Sequence, residues 1–336
     1  MLEHGGDLAR ASREYGIPME RWLDLSSGIN PLGYPVPQVP ANDWLRLPGN
    51  SASLQRAASD YYQTDGMLTL AGTQAAIQAL PRLRPHSRVT LGALTYNEYA
   101  HTWKRYGHMV QAVSIPEFEQ RLAQTDVLIV CNPNNPTSER IDSAQLLEWH
   151  ATLSAHGGWL IVDEAYIDAT PAASLSSYAA RPGLIVLRSL GKFFGLAGAR
   201  IGFAFADARL LRALQDELGP WAVSGPAQFA ASAALADRAW QAHTRAALTK
   251  AGVRLNTLLA RAGIAAQGNT LFQWWQDERA GELHRELAQQ AILTRWFEAA
   301  EPGGIRFGLP GIEDEWRRLE QAIEHCKNYR EIKRCK

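Results

Sequence analysis

Short apolar segments alternate with segments of helical periodicity from about residue 50 onward. Helical spacing of apolar positions covers residues 73–83, 98–106, 143–156 and 208–218, and several of these segments follow a Ser, Thr or Asp that can cap a helix. Uninterrupted apolar runs, typical of buried strands, lie at residues 89–91, 127–131, 159–162, 184–187 and 201–205. The alternation predicts an α/β fold in which a mostly parallel sheet carries helices on both faces.

The pattern changes beyond residue 225. Residues 226–259 are Ala-rich with helical spacing, which predicts a long connecting helix, and apolar runs at residues 271–275, 292–297 and 305–309 predict a smaller α+β domain. The first 40 residues are rich in Gly and Pro with little periodicity. We predict three parts: residues 1–40 as an N-terminal segment that lies across a cleft, 41–225 as a large ligand-binding domain, and 226–336 as the connecting helix and small C-terminal domain.

Composition limits the classes of partner. Lys and Arg together number 34, and so do Asp and Glu, so no excess charge exists to bind nucleic acid or an anionic membrane. The N-terminus has no apolar run of signal-peptide length, and no stretch approaches the roughly 18 apolar residues that span a bilayer. The three cysteines form neither a disulfide framework nor a metal-ligand set. We expect a cytoplasmic protein with no metal site and no nucleic-acid or membrane partner.

Ligands of parallel sheets bind beyond the carboxyl ends of the strands, so the residues that follow predicted strands are the candidates for chemistry. Gly72 and Thr73 lead with Gln74 into a predicted helix, where backbone N–H groups and the Thr hydroxyl suit a phosphate. A Gly turn with a Thr cap explains the same residues. Tyr96 follows the next apolar run, where its ring suits either stacking on a flat heterocycle or a place in the core.

Two further segments place polar groups at strand ends. Asn135 belongs to an Asn-Pro-Asn-Asn-Pro turn after residues 127–131, and such a rigid turn fixes an amide over a ligand. Asp163 ends the run at residues 159–162, with Tyr166 three residues further on. A carboxylate there is costly to desolvate unless it meets a cation such as a protonated pyridine nitrogen. An exposed Asp at a strand end is the alternative interpretation.

The segment from Ser189 to Gly202 carries the most specific pattern, Ser-Leu-Gly-Lys-Phe-Phe-Gly-Leu-Ala-Gly-Ala-Arg-Ile-Gly. Lys192 stands among apolar residues and glycines, where burial favours the neutral, nucleophilic amine. Arg200, eight residues on, offers a bidentate fork to a phosphate. The glycines let the backbone approach a ligand closely.

These five segments, in this order and spacing, resemble the fold-type-I pyridoxal-5′-phosphate (PLP) enzymes, specifically the histidinol-phosphate aminotransferase branch, over nearly the whole chain. The resemblance implies PLP as cofactor and Lys192, Asp163 and Tyr166 as catalytic residues. The cofactor-binding residues that it implies are Gly72, Thr73, Gln74, Tyr96, Asn135, Asp163, Tyr166, Ser189, Lys192 and Arg200.

The same resemblance implies a role for each residue. Lys192 carries PLP, and Asp163 pairs with the ring nitrogen. Tyr96 stacks on the ring, while Asn135 and Tyr166 bond the ring oxygen. The phosphate of the cofactor is held by Thr73, Ser189 and Arg200. Relatives place each active site at a dimer interface, so we expect a homodimer.

The sequence departs from the family pattern at two positions. Gly191 precedes the lysine where relatives often carry Ser. Leu47-Pro48 stands where many have Tyr-Pro, whose hydroxyl reaches the cofactor of the partner subunit. We therefore expect one or two phosphate bonds to be missing or replaced.

The N-terminal strings Glu-His-Gly-Gly-Asp at residues 3–7 and Leu-Asp-Leu-Ser-Ser-Gly-Ile-Asn-Pro-Leu-Gly at residues 23–33 resemble the threonine-phosphate decarboxylases of cobalamin biosynthesis. This resemblance implies L-threonine O-3-phosphate as substrate and (R)-1-aminopropan-2-ol O-phosphate as product. Arg306 matches the position that binds the α-carboxylate across aminotransferases, and Arg295 is a second candidate for the anion clamp, with a salt bridge at a strand end as its alternative. Further substrate-binding candidates are His4, Asn30 and Gly28.

Two alternatives stay open. An aminotransferase acting on histidinol phosphate or an aromatic amino acid would use the same residues in the same roles, because no motif encodes which Cα bond stands perpendicular to the ring. A non-catalytic scaffold of the same fold is a rival of another class. The intact set of Lys192, Asp163 and Arg200 argues against the scaffold, because such groups are costly to keep together without a function.

Overall fold

The computed structural model describes residues 4–334, and the side chains of residues 4–326. The α-helices in these residues are α1 (Leu8–Tyr15), α2 (Ala41–Leu45), α3 (Ala52–Tyr62), α4 (Thr73–Ala79), α5 (Glu98–Arg105), α6 (Phe118–Arg121), α7 (Ser143–Ser154), α8 (Ala208–Leu218), α9 (Gly225–Ala236), α10 (Arg238–Arg261), α11 (Ala280–Gln289) and α12 (Glu313–Arg334). The strands are β1 (Leu23–Asp24), β2 (Met67–Leu70), β3 (Arg88–Gly92), β4 (Met109–Val113), β5 (Val127–Cys131), β6 (Trp159–Asp163), β7 (Leu184–Ser189), β8 (Gly202–Phe205), β9 (Gln267–Gly268), β10 (Phe272–Gln276), β11 (Ile292–Leu293), β12 (Arg295–Phe297) and β13 (Gly304–Gly308). None of the helices in the described part of the chain is long and apolar enough to cross a bilayer.

The larger of two compact units comprises residues 33–135 and 139–243. It contains a seven-stranded sheet of order β2-β8-β7-β6-β5-β3-β4. Strands β3 to β7 pair in parallel, whereas β8 is antiparallel to both of its neighbours. The predicted mostly parallel sheet is therefore confirmed, and the reversed direction of β8 is a feature that the periodicity did not predict.

The five predicted strands of this sheet are all present, because the central strands are buried along their length. Strand β5 is buried at every position, and β6 and β7 at all but one. Strands buried on both faces become uninterrupted apolar runs in the sequence. The sequence pattern missed β2 and β4, because these edge strands are partly exposed and lack such a run.

Helices α4, α5 and α8 share one apolar core with the sheet, through residues such as Ala76, Trp103 and Leu214, which are at most 1% exposed. All three helices were predicted from apolar spacing. The predicted helix over residues 73–83 ends as an α-helix at Ala79 and continues as a 3₁₀ turn to Leu83.

The described residues of the smaller unit are 4–32, 136–138 and 244–334. It contains a four-stranded antiparallel sheet of order β12-β13-β10-β9, which agrees with the predicted small α+β domain. Its N-terminal part is more ordered than the pattern indicated. Asp7 caps helix α1, because its side chain accepts the Arg10 N–H. Strand β1 pairs in parallel with β11.

The divisions between the units fall at residues 32 and 243, where the sequence analysis placed boundaries at 40 and 225. The segment predicted as one connecting helix consists of α9 and α10, separated at Asp237. This residue has a non-helical backbone conformation, with φ −83° and ψ 81°. Its carboxylate accepts the Trp240 N–H at 2.9 Å, so it caps α10, as Asp commonly does. The functional assignment of each part stays a prediction.

Candidate active site

All ten residues predicted to bind the cofactor line one cavity in the larger unit. The cavity has a volume of about 140 Å³. The ten residues are Gly72, Thr73, Gln74, Tyr96, Asn135, Asp163, Tyr166, Ser189, Lys192 and Arg200. Because these residues come from five separate segments of the chain, their convergence is a property of the fold.

The convergence follows from the strand directions. Parallel strands end at one edge of a sheet, and the residues after β3, β5, β6 and β7 therefore meet there. Arg200 precedes β8, and β8 runs in the opposite direction, so its beginning lies at the same edge. The register shows this directly, because Gly202 at the start of β8 is opposite both Leu70 and Ser189 at the ends of their strands.

Lys192 lies on a turn that is fixed on both sides. Its carbonyl accepts the Gly195 N–H at 3.1 Å, and the Leu196 N–H donates to the Leu190 carbonyl at the same distance. Phe193 and Phe194 are fully buried. The Lys192 Nζ atom lies 5.5 Å from the centroid of the Tyr166 ring, so the amine reaches into the cavity while its backbone is held by buried aromatic rings.

Asp163 is a carboxylate buried to 6% exposure at the end of β6. It accepts the Tyr99 hydroxyl at 2.8 Å and the Ala165 N–H at 3.0 Å. Burial raises the pKa of Asp163, and the two hydrogen bonds and the positive charge of Lys192 only partly oppose that shift. A carboxylate in this position is stabilised by a cation inside the cavity.

Tyr99 is a site residue that the sequence analysis did not identify. It lies on α5, three residues after Tyr96. The two rings meet edge to face with centroids 6.2 Å apart. Burial raises the pKa of Tyr99 well above its usual value, so its hydroxyl keeps the proton that it donates to Asp163. The Tyr-x-x-Tyr spacing could have indicated that Tyr99 lies close to Tyr96, because residues three apart share one face of a helix.

The three asparagines after β5 have different functions. Asn132 exchanges two hydrogen bonds with the backbone of Ile141, at 2.9 and 3.0 Å. Asn134 donates to the Leu94 carbonyl at 2.9 Å and accepts the Thr95 hydroxyl at 2.8 Å. Asn135 lines the cavity. Two asparagines therefore hold the turn in place, and the third presents its amide to a ligand, which explains why the turn contains so many.

Gly72, Thr73 and Arg200 also line this cavity. Gly72 has φ +74°, and a Cβ added there would lie 2.7 Å from Arg200 Nη2, so only glycine leaves room for the guanidinium. Arg200 itself has φ +53°, a conformation that non-glycine residues rarely adopt and that clusters at functional sites. Its Nη1 donates to the Ala197 carbonyl at 3.2 Å.

The structure explains one of the two departures from the family pattern. A Cβ added at Gly191 would lie 3.3 Å from both Ala197 Cα and Ser189 Oγ, which is closer than an ordinary contact. The Gly191 N–H also donates to Ser189 Oγ at 3.1 Å, so glycine lets the turn close against the serine. The other departure, Leu47, is 71% exposed.

These residues fit PLP on the geometry of this chain. The buried carboxylate of Asp163 and the amine of Lys192 line the same cavity. The guanidinium of Arg200 also lies there, next to Gly72, which has no side chain to displace it. Such a combination suits a pyridine ring with a phosphate at one end and an aldehyde that reacts with the amine. Asp163, Lys192 and Arg200 would hold these three groups.

A second cavity, of about 270 Å³, lies in the smaller unit. It brings together His4 and Arg295, two of the predicted substrate-binding residues, with His284 and Arg285 of α11. The sequence analysis missed the residues of α11, whose His-Arg pair resembles any charged helix surface. Asp7, Arg10 and Glu14 of α1 also line this cavity.

The other predicted substrate residues do not line that cavity. Arg306 lies opposite Arg295 in the β12–β13 register, is 5% exposed, and donates to the Ser26 carbonyl at 2.6 Å. Asn30 is buried and accepts the Leu32 N–H at 3.0 Å. Gly28 is buried as well. The substrate roles of these three residues stay predictions.

Residues 43–325 match the model of the family "aminotransferase class I and II". The chain belongs to this family. It is 50% identical to a threonine-phosphate decarboxylase of Pseudomonas aeruginosa over 96% of this chain and 97% of the relative. It is 42% identical to a threonine-phosphate decarboxylase of a Sinorhizobium species over 96% of this chain and 97% of the relative.

A solved histidinol-phosphate aminotransferase of Sinorhizobium meliloti in complex with PLP superposes with a TM-score of 0.79 over 98% of this chain and 99% of that chain, at 17% identity. At this identity the likeness concerns the fold alone. The predicted fold class, the PLP cofactor and the interpretation as a PLP-dependent enzyme are confirmed for this aminotransferase-family chain. The roles of individual site residues stay predictions.

We predict that Asp163→Asn stabilises the PLP-free protein at neutral and alkaline pH. Burial raises the pKa of Asp163 in the folded state, so its stabilising contribution is present at low pH and is lost as the pH rises from the ordinary Asp pKa through the raised one. The neutral amide avoids this loss. At pH 8 we expect a gain of about 0.5–2 kcal/mol in the free energy of unfolding, the usual range for a stabilising substitution.

Urea unfolding of both PLP-free proteins at pH 4 and pH 8 measures this effect. The difference between them is expected to be larger at pH 8. A wild-type protein that is the more stable one at pH 8 would contradict the interpretation of Asp163 as a desolvated carboxylate.

Proposed function

We propose that this chain is a PLP-dependent decarboxylase that converts L-threonine O-3-phosphate to (R)-1-aminopropan-2-ol O-phosphate and CO₂ in cobalamin biosynthesis. The observation that carries the proposal is the 50% identity, over nearly the whole of both chains, to the P. aeruginosa relative named threonine-phosphate decarboxylase. The N-terminal strings at residues 3–7 and 23–33, which suggested this substrate, lie within the same chain as a complete PLP cavity.

When bound, PLP supplies an electron sink that lets the substrate carboxylate leave as CO₂. In this proposal Lys192 carries the cofactor and later returns a proton to the substrate Cα. Asp163, already desolvated, accepts the N–H of the ring nitrogen and keeps that nitrogen protonated. Asn135 and Tyr166 bond the ring oxygen.

The remaining cavity residues hold the cofactor in place. Thr73, Ser189 and Arg200 would bind its phosphate, to which Arg200 offers a bidentate fork. Tyr96, two residues before α5, would cover the ring, and its hydroxyl donates to Gln74 Oε1 at 3.4 Å. A ring held in one orientation leaves the choice of reaction to the substrate, because the bond to be broken must stand perpendicular to the ring.

The substrate carries a carboxylate and a phosphate, and the smaller unit contains cations for both. Arg295, His4, His284 and Arg285 line one cavity there, and we propose that this cavity binds the substrate phosphate. Arg306, adjacent in register to Arg295, is proposed to bind the carboxylate. The chain has no net charge, so local clusters of cations, rather than an overall positive charge, would attract the anionic substrate.

We also propose that the protein acts as a homodimer. Large apolar side chains of the larger unit are exposed around α2 and before α9: Trp44 at 69%, Leu45 at 80%, Leu47 at 71% and Trp221 at 60%. Helix α2 packs closely on α9, since a Cβ at Gly225 would lie 2.3 Å from the Asp43 carbonyl. An exposed apolar surface of this kind marks a protein interface.

We expect the PLP-loaded protein to release CO₂ from L-threonine O-3-phosphate in multiple turnovers with no keto acid present. Lys192→Ala is expected to abolish turnover, because it removes both the cofactor linkage and the proton donor. Manometric or coupled CO₂ measurement, with mass spectrometry of the amine phosphate, provides the test. Turnover that requires 2-oxoglutarate with histidinol phosphate or an aromatic amino acid would instead assign an aminotransferase.

We expect Arg295→Met to raise KM for L-threonine O-3-phosphate about 10- to 150-fold with a smaller effect on kcat, since a hydrogen bond to a charged group contributes about 1.5–3 kcal/mol. Arg279→Met is the matched control, because Arg279 is an exposed arginine of the same unit that pairs with Asp277. Steady-state kinetics compares the two variants. Equal KM values for Arg295→Met and wild type would remove Arg295 from the phosphate site.

We expect Leu45→Asp to dissociate the dimer, because it places a charge in an apolar interface. Val253→Asp is the control, since Val253 is 63% exposed on α10, away from α2 in the sequence. Light scattering coupled to size-exclusion chromatography measures the mass of each variant. A wild-type monomer, or a Leu45→Asp dimer of unchanged stability, contradicts the proposed interface.

A further inference from the structure

Arg188, the residue before Ser189 at the end of β7, is a fully buried cation that the cofactor cavity does not expose. Its side chain is 2% exposed, and those of its partners Glu164 and Asp168 are 1% and 0% exposed. All of them belong to the larger unit. A buried charged cluster of this kind is costly to form unless its geometry serves a purpose.

The guanidinium of Arg188 ties together chain segments that are distant in sequence. Its Nη1 donates to Ser174 Oγ at 2.8 Å and lies 3.4 Å from Glu164 Oε2. Its Nη2 donates to Asp168 Oδ1, and Asp168 also accepts the Tyr61 hydroxyl at 2.9 Å. The contacts use the two ends of a planar fork, which a single ammonium group cannot reproduce.

Glu164 extends the network to the backbone of the next turn. Its carboxylate accepts the Leu175 N–H at 2.7 Å and the Ser174 hydroxyl at 2.5 Å. The Arg188 guanidinium also lies over the Tyr62 ring, 4.8 Å from its centroid. The segment from Glu164 to Leu175 is therefore held against β7 and α3 by one arginine and its partners.

Each charged residue of this network lies one or two positions in the chain from a residue of the cofactor cavity. Glu164 follows Asp163, Asp168 stands two residues after Tyr166, and Arg188 precedes Ser189. Movement of any of these anchor residues would therefore shift a side chain that faces PLP. Misplacement by about 1 Å at such a site is enough to weaken function by about 100-fold.

We propose that Arg188 is a positioning residue that fixes Asp163, Tyr166 and Ser189 in the orientation that binds PLP. The inference rests on the proposed roles of those three residues toward the cofactor, and it is independent of the substrate. Arg188 does not touch the cavity itself, and it acts by holding the segments that do.

Two substitutions break the tethers. Arg188→Lys keeps the positive charge but loses the fork, and Asp168→Ala removes one anchor. We expect both to weaken PLP binding to the cofactor-free protein about 10- to 100-fold, and to shift the pH at which the absorbance of bound PLP changes, because Asp163 and Tyr166 then meet the ring differently. Amide hydrogen exchange of residues 164–176 in the PLP-free protein should accelerate in both variants.

Asp168→Asn is the matched control for charge. Its side-chain oxygen still accepts from Arg188 and Tyr61, so the tether remains although the negative charge is gone. We expect its PLP affinity to be within a few-fold of wild type. Leu214→Ala is the control for stability, because Leu214 is a fully buried residue of α8 whose truncation costs about 2–5 kcal/mol without touching the network.

Two results together support the proposal. Arg188→Lys and Asp168→Ala must bind PLP more weakly and show a shifted absorbance titration, and the controls Asp168→Asn and Leu214→Ala must show neither change. Wild-type PLP affinity and titration in Arg188→Lys overturn it, whatever the unfolding temperature. Equal losses in Asp168→Asn and Asp168→Ala also overturn it, since charge would then be responsible.

A milder variant covers the case in which the first two do not fold. Tyr61→Phe deletes one hydrogen bond to Asp168 and keeps the ring contacts with Tyr62 and Phe194. We expect PLP affinity to fall about 2- to 10-fold, and an unchanged affinity contradicts the proposal. Because every measurement uses PLP alone, a failure of the decarboxylation assay would leave these results and their meaning unaffected.

Discussion

The central strands of the seven-stranded sheet are buried on both faces, and this constraint decides where polar chemistry can take place in the larger unit. Strands β5, β6 and β7 offer almost no exposed position along their length, so charged and amide side chains occur where these strands end. Lys192 and Asp163 both belong to this edge. The reversed strand β8 adds Arg200 to it, because its beginning is opposite Ser189 in the register.

The cofactor site therefore depends on charges that the fold must hold at a cost. Burial disfavours the ionised form of Asp163 and raises its pKa, and Arg188 is buried with Glu164 and Asp168. Sites of this kind lower the free energy of unfolding of the unliganded protein, and a complementary ligand stabilises the folded protein when it binds. A pyridine nitrogen that carries a proton is complementary to Asp163 in this sense.

In the proposed activity, the larger unit binds the cofactor and the smaller unit binds an anionic group of the substrate. The larger unit contains the cavity that is proposed to bind PLP. The smaller unit contains a cavity with His4, His284, Arg285 and Arg295, suited to an additional anionic group of the substrate. In the proposed reaction, the choice between losing CO₂ and transferring an amine depends on which Cα bond stands perpendicular to the ring.

The sequence by itself predicted the central strands, the helices α4, α5, α7 and α8, and ten of the residues that line the cavity of the larger unit. These features are local: a buried strand is a short apolar run, and the residues that follow it are adjacent in the chain. It did not determine the break at Asp237, the direction of β8 or the edge strands β2 and β4. Only the tertiary structure placed Tyr99 against Asp163, Arg188 against Asp168, and His284 beside Arg295. These contacts join separate segments whose packing against each other no local pattern records.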